Sequence, residues 1–114
     1  MAGWDGFYAS YMTGSEGQGF AMFIFFGGKI VGADPLGVQF DGTYTASDDG
    51  SIDGVVTVKV PSGRTVIQGA SAGPTGMTYD IPIKFGAQDF NLDYIKLETP
   101  LGQINIKMNK IRDI

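Results

Sequence analysis

Short apolar segments separated by glycine constrain this chain more than any other feature, because they leave little room for a long helix. The sequence carries 18 glycines in 114 residues, about twice the usual share. Within the segments apolar and polar residues alternate, with Phe40 and Tyr44 in one set of positions and Asp41 and Thr43 in the other. A period of two is typical of a β-strand with one buried and one solvated face. The chain is therefore predicted to form many short strands joined by tight turns.

The predicted strands cover residues 6–12, 19–26, 29–32, 38–45, 52–60, 64–70, 77–85, 90–99 and 103–110. Pro82 has no N–H for a strand ladder, so its strand is expected at a sheet edge or with a bulge at that position. Consecutive strands with short links favour an antiparallel meander, and closing the meander removes its two exposed edges. We predict one all-β domain over residues 1–114, folded as a small antiparallel up-and-down β-barrel of about eight strands. A two-sheet sandwich is the alternative.

Cysteine and histidine are both missing from the sequence. Their absence removes disulfides, thiol nucleophiles, the Ser-His-Asp triad, the histidine general base and most zinc sites. The paired aspartates Asp48 and Asp49 stand in a predicted turn, where carboxylates are normally solvated rather than held in a cleft with separated pKa values. We therefore predict a non-enzymatic protein with no catalytic residues, no metal site and no cofactor.

Eight basic and twelve acidic residues give the chain a net charge of −4. Phosphate binding depends on Lys and Arg, so direct nucleic-acid binding is not expected, and a basic protein partner suits this charge better. The first residues carry neither a basic stretch nor an apolar run, unlike a secretory signal. The most apolar run, residues 20–26, is far shorter than the ~20 residues of a membrane-spanning helix. We predict a soluble, cytoplasmic protein that does not associate with membranes.

The second predicted strand breaks the alternation, because it is apolar on both faces. One face holds Phe20, Met22, Ile24 and Phe26, and the other holds Ala21, Phe23 and Phe25. An exposed outer face of this kind is an aggregation hazard, so something is expected to cover it. We predict a symmetric homodimer that buries Phe23 and Phe25 against their copies. A loop, a tail or a neighbouring strand of the same chain is the alternative.

The interior of an eight-stranded barrel is either filled by side chains or left wide enough for one small ligand. The predicted interior residues are Phe40, Tyr44, Val56, Val58, Tyr79, Ile81 and Ile83. Aromatic and aliphatic bulk of this kind is able to fill a small barrel or to line an apolar ligand cavity. Both interpretations stay open at the level of the sequence.

Four short motifs follow one another in the first half of the chain: DGFY at residues 5–8, GQG at 17–19, GKIVGAD at 28–34 and FDGTY at 40–44. Together they resemble the GrlR family of negative regulators associated with type III secretion. Their order and spacing carry the resemblance over the first half of the chain, whereas the second half matches in strand pattern and length.

The resemblance implies a lipocalin-like barrel, a dimer, and control of type III secretion genes by binding a transcriptional activator with a helix-turn-helix domain. It also implies that an acidic surface hairpin contacts that activator, and Asp48 and Asp49 are the matching positions. The family's run of four acidic residues is reduced here to two. DNA-binding helices are basic, so an acidic turn is suited to meet them. An Asp-Asp-Gly sequence is also what a hairpin turn favours in its own right. The alternative function is that of a carrier of a small apolar ligand, as in lipocalins.

Overall fold

The structure, a computed structural model, describes residues 3–114. Its strands are β1 (Gly6–Thr13), β2 (Gln18–Phe26), β3 (Lys29–Ala33), β4 (Gln39–Ala46), β5 (Ile52–Val60), β6 (Met77–Phe85), β7 (Ile95–Thr99) and β8 (Gly102–Arg112). One short 3-10 helix, Asp89–Asn91, lies between β6 and β7. No helix in residues 3–114 is long and apolar enough to cross a bilayer. The all-β prediction is confirmed.

The eight strands form one antiparallel sheet in the order β6-β5-β4-β3-β2-β1-β8-β7. Each strand from β1 to β5 pairs with the next, β7 pairs with β8, and β8 pairs back onto β1. This last pairing rolls the sheet into a nearly closed up-and-down barrel, as predicted. The remaining seam lies between β6 and β7, whose Cα atoms come within 8 Å without forming a ladder. Pro82 therefore lies on an edge strand, where its missing N–H is tolerated.

Alternation along the strands decides which side chains enter the barrel. On β4 Phe40 and Tyr44 are buried, and on β5 Val56 and Val58 are buried, while Lys59 stays exposed. The turn between β2 and β3 has Gly27 and Gly28 at φ of 58° and 85°. Two consecutive positive φ angles belong to the primed turns whose twist matches a hairpin. These elements follow the predicted pattern closely.

The predicted strand at residues 64–70 is wrong. This stretch belongs to a long loop, residues 61–76, that pairs with itself through a bridge between Thr65 and Ser71. The Val66 amide donates to the Ala70 carbonyl at 2.9 Å, and Gly69 turns the chain with a φ of 99°. The strands on either side, β5 and β6, pair directly with each other along nine positions. No ladder position is therefore left between them for a further strand.

The predicted strand at residues 90–99 begins too early, since β7 starts only at Ile95. The Asp89 carboxylate accepts the Gly86 amide hydrogen at 2.8 Å, which folds this stretch into a tight turn. Phe90 leaves the sheet and packs its ring edge against Trp4, with 4.7 Å between ring centroids. A distant aromatic contact therefore overrides the local period-two pattern.

The predicted facing of β2 is also wrong. Phe23 and Phe25 were expected on the outer surface, but they are buried inside the barrel with 9% and 2% of their surface exposed. Phe23 pairs with Tyr8 of β1, and Tyr8 points inward. The outer face of β2 instead carries Met22 and Phe26, which are exposed. Both faces of β2 are apolar, so the alternation alone could not say which of them is inside.

Candidate functional site

One end of the barrel is closed by a cluster of aromatic side chains, here called the aromatic plug. Its members are Trp4, Tyr8, Phe25, Tyr44, Phe85 and Phe90. Their ring centroids lie 4.7 to 6.4 Å apart, the range in which aromatic pairs attract each other. The plug therefore seals this end with side chains from both the first and the second half of the chain.

Hydrogen bonds hold the plug to the barrel rim. The indole N–H of Trp4 donates to the Gly50 carbonyl at 2.8 Å, and the Tyr8 hydroxyl donates to the Trp4 carbonyl at 2.7 Å. The Tyr44 hydroxyl donates to Asp5 Oδ1 at 3.1 Å. Burial raises the pKa of Tyr8 to about 12, because the interior disfavours its phenolate form. The indole N–H and the two phenol groups of the plug are thus all hydrogen-bonded, and these bonds anchor the plug to the barrel rim.

The opposite end of the barrel is covered by the 61–76 loop. Ile67 of this loop lies against Gly14 and Gly17 of the β1–β2 connection and against Gly19 at the start of β2, and a Cβ on Gly14 would collide with the Ile67 carbonyl. The Glu16 amide donates to the Ile67 carbonyl at 2.9 Å, and Gln68 Nε2 donates to Thr99 Oγ1 at 3.1 Å. Few hydrogen bonds connect this loop to the strands, whereas each strand is held by a ladder of backbone hydrogen bonds. The loop therefore covers this end of the barrel without belonging to the sheet.

Between the aromatic plug and the 61–76 loop lies a cavity of about 430 Å³. Ligand pockets commonly measure ~300–1,000 Å³. Of the predicted interior residues, the structure places the following six on the cavity wall: Phe40, Val56, Val58, Tyr79, Ile81 and Ile83. Tyr44 lies in the aromatic plug instead. Phe23 and Phe25, predicted at a dimer interface, also line this cavity.

The charged side chains that line the cavity are Asp34 and Arg64, both contributed by loops at its mouth. Asp34 Oδ1 accepts hydrogen bonds from the backbone amides of Leu36 and Val38, each at 2.9 Å, so this carboxylate stabilises the turn between β3 and β4. Arg64 lies on the exposed part of the 61–76 loop. Burial raises the pKa of the Tyr79 phenol, and a hydrogen bond from Gln68 of the 61–76 loop acts in the opposite direction. The interior is therefore apolar, and charge is confined to the entrance.

Ser10 is the one polar residue buried in the barrel wall, with 1% of its surface exposed. Its side chain lines the cavity, and its Oγ has no hydrogen-bond partner among residues 3–114. A buried hydroxyl without a partner is uncommon, because losing its water costs free energy that a hydrogen bond normally returns.

Sequence reasoning missed both Ser10 and the covering role of the 61–76 loop. The first has a faint signal in the sequence: a serine stands at an inward position of β1, between Tyr8 and Met12. The covering role of the 61–76 loop has no signal in the sequence, because the contact between Ile67 and the glycines of the β1–β2 connection joins distant parts of the chain.

The Asp48–Asp49 turn joins β4 to β5 at the same end of the barrel as the aromatic plug. Both aspartates are exposed. Asp49 Oδ1 accepts hydrogen bonds from the Ser51 amide at 2.9 Å and the Ser51 hydroxyl at 2.6 Å, and these bonds hold the pKa of Asp49 below its usual value. One carboxylate oxygen of Asp49 therefore already stabilises the turn itself. The turn lies away from the cavity mouth, so the two predicted sites are separate.

The outer faces of β1, β2 and β3 form a continuous apolar surface. Phe7, Ile24 and Val31 are Cα partners across the three strands, and residues paired in this way point to the same face. Val31 is 51% exposed. Met22 on the next row is also exposed. The uncovered side of β2 is therefore this outer apolar face, and not the side that carries Phe23 and Phe25.

Fold and site together define a nearly closed antiparallel β-barrel with an apolar cavity inside. Within residues 3–114 no three His, Cys, Asp or Glu side chains are grouped so that they could hold a metal ion. Comparison with models of protein families finds no match, and comparison with curated proteins finds none either. The cavity, the Asp48–Asp49 turn and the outer apolar face are therefore the features from which function is inferred.

Proposed function

We propose that this chain is a non-enzymatic binding protein that holds a small apolar ligand inside its barrel. The observation that supports this most is the cavity of about 430 Å³, whose wall is apolar and whose charged side chains are confined to the mouth. Apolar surface gains about 25 cal/mol for each Å² removed from water. A hydrocarbon ligand in this space would cover the cavity wall of Phe23, Val58 and Ile81 as well as its own surface.

Entry is proposed through the end covered by the 61–76 loop. The aromatic plug is fixed by stacked rings and by hydrogen bonds from Trp4 and Tyr8. The loop packs Val66, Ile67 and Ala72 against the core, but it lies outside the strand ladders. A segment outside the ladders opens at a lower free-energy cost than a strand within one. The loop is therefore the part expected to move when a ligand enters.

The test is a titration with a fluorescent apolar dye, followed by displacement with fatty alcohols and fatty acids. Val58→Phe places a ring in the cavity and should abolish dye binding. Val55→Phe adds the same ring three residues earlier on the outer face of β5, where Val55 is 40% exposed, and should leave binding unchanged. A ligand that binds only the folded state should also raise the Tm as its concentration rises. Equal dye binding by both folded variants would place the dye outside the cavity and refute the proposal.

A second candidate is regulation of type III secretion genes in the cytoplasm through a protein partner. It is supported by the exposed Asp48–Asp49 turn and by the resemblance of the first half of the chain to the GrlR family. Its partner would be a helix-turn-helix activator, whose basic surface an acidic turn attracts. This contact and the cavity do not exclude each other, because they lie in different parts of the barrel.

The matched test replaces Asp48 and Asp49 by asparagine, which removes two charges and keeps an oxygen for the Ser51 hydrogen bonds. Asp80→Asn with Asp93→Asn changes the net charge by the same amount elsewhere on the surface. Co-purification with an activator encoded by a neighbouring gene should fall with the first pair, persist with the second, and weaken as salt increases. Unchanged co-purification with the first pair would remove this turn from the contact.

We also propose that a second copy of the chain covers the outer apolar face. One row across this face reads Arg112, Phe7, Ile24, Val31 and Asp41 in register. The row is apolar in the middle, basic at one end and acidic at the other. A two-fold axis along β2 would place each Arg112 opposite the Asp41 of the other copy, with Ile24 against its own image.

The neighbouring row has the same symmetry. It reads Asn109, Ala9, Met22, Ala33 and Gln39. In a dimer with the same axis, Asn109 of one copy would face Gln39 of the other, and Ala9 would face Ala33. Arg112→Asp and Asp41→Arg should each convert the dimer to a monomer in sedimentation experiments, and combining them should restore it. A monomeric wild-type protein at high micromolar concentration would exclude this interface.

A further inference from the structure

Ser10 is unusual because it is the only buried residue with a side-chain polar atom that lacks a hydrogen-bond partner in the described part of the chain. It lies on β1 and pairs with Ala21 on β2 and Met108 on β8. Neither neighbour carries a side-chain oxygen or nitrogen that could accept or donate. Ser10 is therefore a buried polar residue without a hydrogen-bond partner in the wall of the cavity.

The position of Ser10 along the strand places it inside the barrel rather than at the mouth. Met12, the next inward residue toward the 61–76 loop, lines the cavity, and Tyr8, the next inward residue in the other direction, belongs to the aromatic plug. A ligand that reaches Ser10 has therefore passed the loop end and entered the apolar interior.

We infer that the ligand of this cavity is a neutral amphiphile: a mainly hydrocarbon molecule with one uncharged oxygen, a hydroxyl or a carbonyl, that hydrogen-bonds to Ser10 Oγ. The inference rests on the proposed ligand-binding function and narrows its ligand class. A serine hydroxyl both donates and accepts, so either oxygen type satisfies it. A pure hydrocarbon would leave the hydroxyl unpaired, as it is in the ligand-free fold, whereas a ligand oxygen would give it a hydrogen bond.

An ionised group does not fit at Ser10. The charged side chains of the cavity wall, Arg64 and Asp34, stand at the mouth, so a carboxylate beside Ser10 would be desolvated without a counter-charge. Burying an unpaired charge is far more costly than burying a neutral polar group. A fatty acid would therefore leave its carboxylate near the entrance and would not satisfy the serine.

The test compares naphthalene, naphthol and naphthoate, which share one ring system and differ in carrying no oxygen, a hydroxyl or a carboxylate. Their affinities are measured by isothermal titration calorimetry for the wild type, Ser10→Ala and Ser10→Thr, after circular dichroism confirms that each variant folds. Using the ratio of wild type to variant for each ligand cancels the different hydration of the ligands themselves.

We expect Ser10→Ala to weaken naphthol binding roughly five-fold, the effect of losing one hydrogen bond, and to leave naphthalene binding unchanged or slightly tighter. Ser10→Thr keeps the hydroxyl and should retain the preference for naphthol. Should Ser10→Thr not fold, Ser10→Cys, with a much weaker hydrogen-bonding group, should behave like the alanine variant.

The outcomes separate this inference from the proposed function. If the wild type binds naphthalene and naphthol but Ser10→Ala changes both equally, the cavity binds ligands and the role of Ser10 is wrong. If naphthoate binds most tightly and depends on Ser10, the ligand is anionic and the neutral class is wrong. If the wild type binds none of the three up to their solubility limits, the proposed ligand-binding function fails, and this inference fails with it.

Discussion

Replacing Ser10 by alanine should stabilise the empty protein even though it weakens ligand binding. Ser10 is 1% exposed, and its hydroxyl has no partner among residues 3–114. The unfolded chain exposes this hydroxyl to water, whereas the folded chain removes that water and gives no protein hydrogen bond in return. Alanine has no hydroxyl to desolvate, so the variant avoids this cost.

The magnitude follows from two opposing contributions. Burying an unsatisfied hydroxyl costs about 1–3 kcal/mol. Against this gain stand the small void left by the missing oxygen and the low strand propensity of alanine, together about 0.5–1 kcal/mol. The net expectation is a stabilisation of about 1 kcal/mol, which corresponds to a Tm increase of about 4 °C for a domain of this size.

The assay is urea unfolding of ligand-free protein with fluorescence detection, supported by calorimetry. Ser62→Ala is the control, because Ser62 is exposed and its substitution should change stability by less than about 0.5 kcal/mol. A Ser10→Ala variant less stable than the wild type would refute the reasoning, since it would show that the fold itself satisfies the hydroxyl. Saturating naphthol should shrink the difference, because only the wild type gains the additional hydrogen bond.

Three further predictions test the packing. Phe23→Ala should lower the free energy of unfolding by about 3–5 kcal/mol in urea titrations, because Phe23 is an inward-facing core residue. If the variant instead changed its oligomeric state and kept full stability, Phe23 would lie on the outer surface and not in the core. Gly32→Ala would bring a Cβ to 2.5 Å from Phe23 Cδ1 and should cost about 1–3 kcal/mol, whereas Gly3→Ala, with no atom of the described residues within 4 Å, should be neutral by the same measurement. Because the folded-state pKa of Tyr8 is raised from 10.0 to about 12, its contribution to stability is complete below pH 10 and is lost as the pH rises toward 12. Tyr8→Phe should lower the free energy of unfolding by about 1 kcal/mol at pH 7, because it loses the hydrogen bond to the Trp4 carbonyl. It should also make the free energy of unfolding depend less on pH between pH 10 and 12. If this pH dependence were the same in the variant and the wild type, the raised pKa of Tyr8 would be contradicted.

Several parts of the fold were predictable from residues a few positions apart. The bounds of β5 and β6, Ile52–Val60 and Met77–Phe85, coincide with the predicted strands, because apart from Val55 and Pro82 both alternate between inward apolar and outward polar side chains. Pro82 marked an edge strand through its missing N–H. The wall residues Val56, Val58 and Ile81 followed from the same alternation.

Other parts depended on contacts between distant residues. Residues 64–70 were predicted as a strand, yet they lie in the 61–76 loop, where Ile67 contacts the β1–β2 connection. Phe90 was predicted as the first residue of a strand, although its ring joins the plug around Trp4. In both cases the apolar side chain packs against the hydrophobic core instead of extending a strand ladder.

The sequence by itself determined that this chain forms short antiparallel strands, and which side chains along each strand share a face, because a period of two is a local property of the backbone. Only the tertiary structure decided which face of β2 lies inside, that an apolar cavity remains between plug and loop, and that Ser10 faces it without a partner. Such outcomes depend on how all eight strands close around one axis. Closure is set by the summed packing of many distant side chains, and no short stretch of sequence records it.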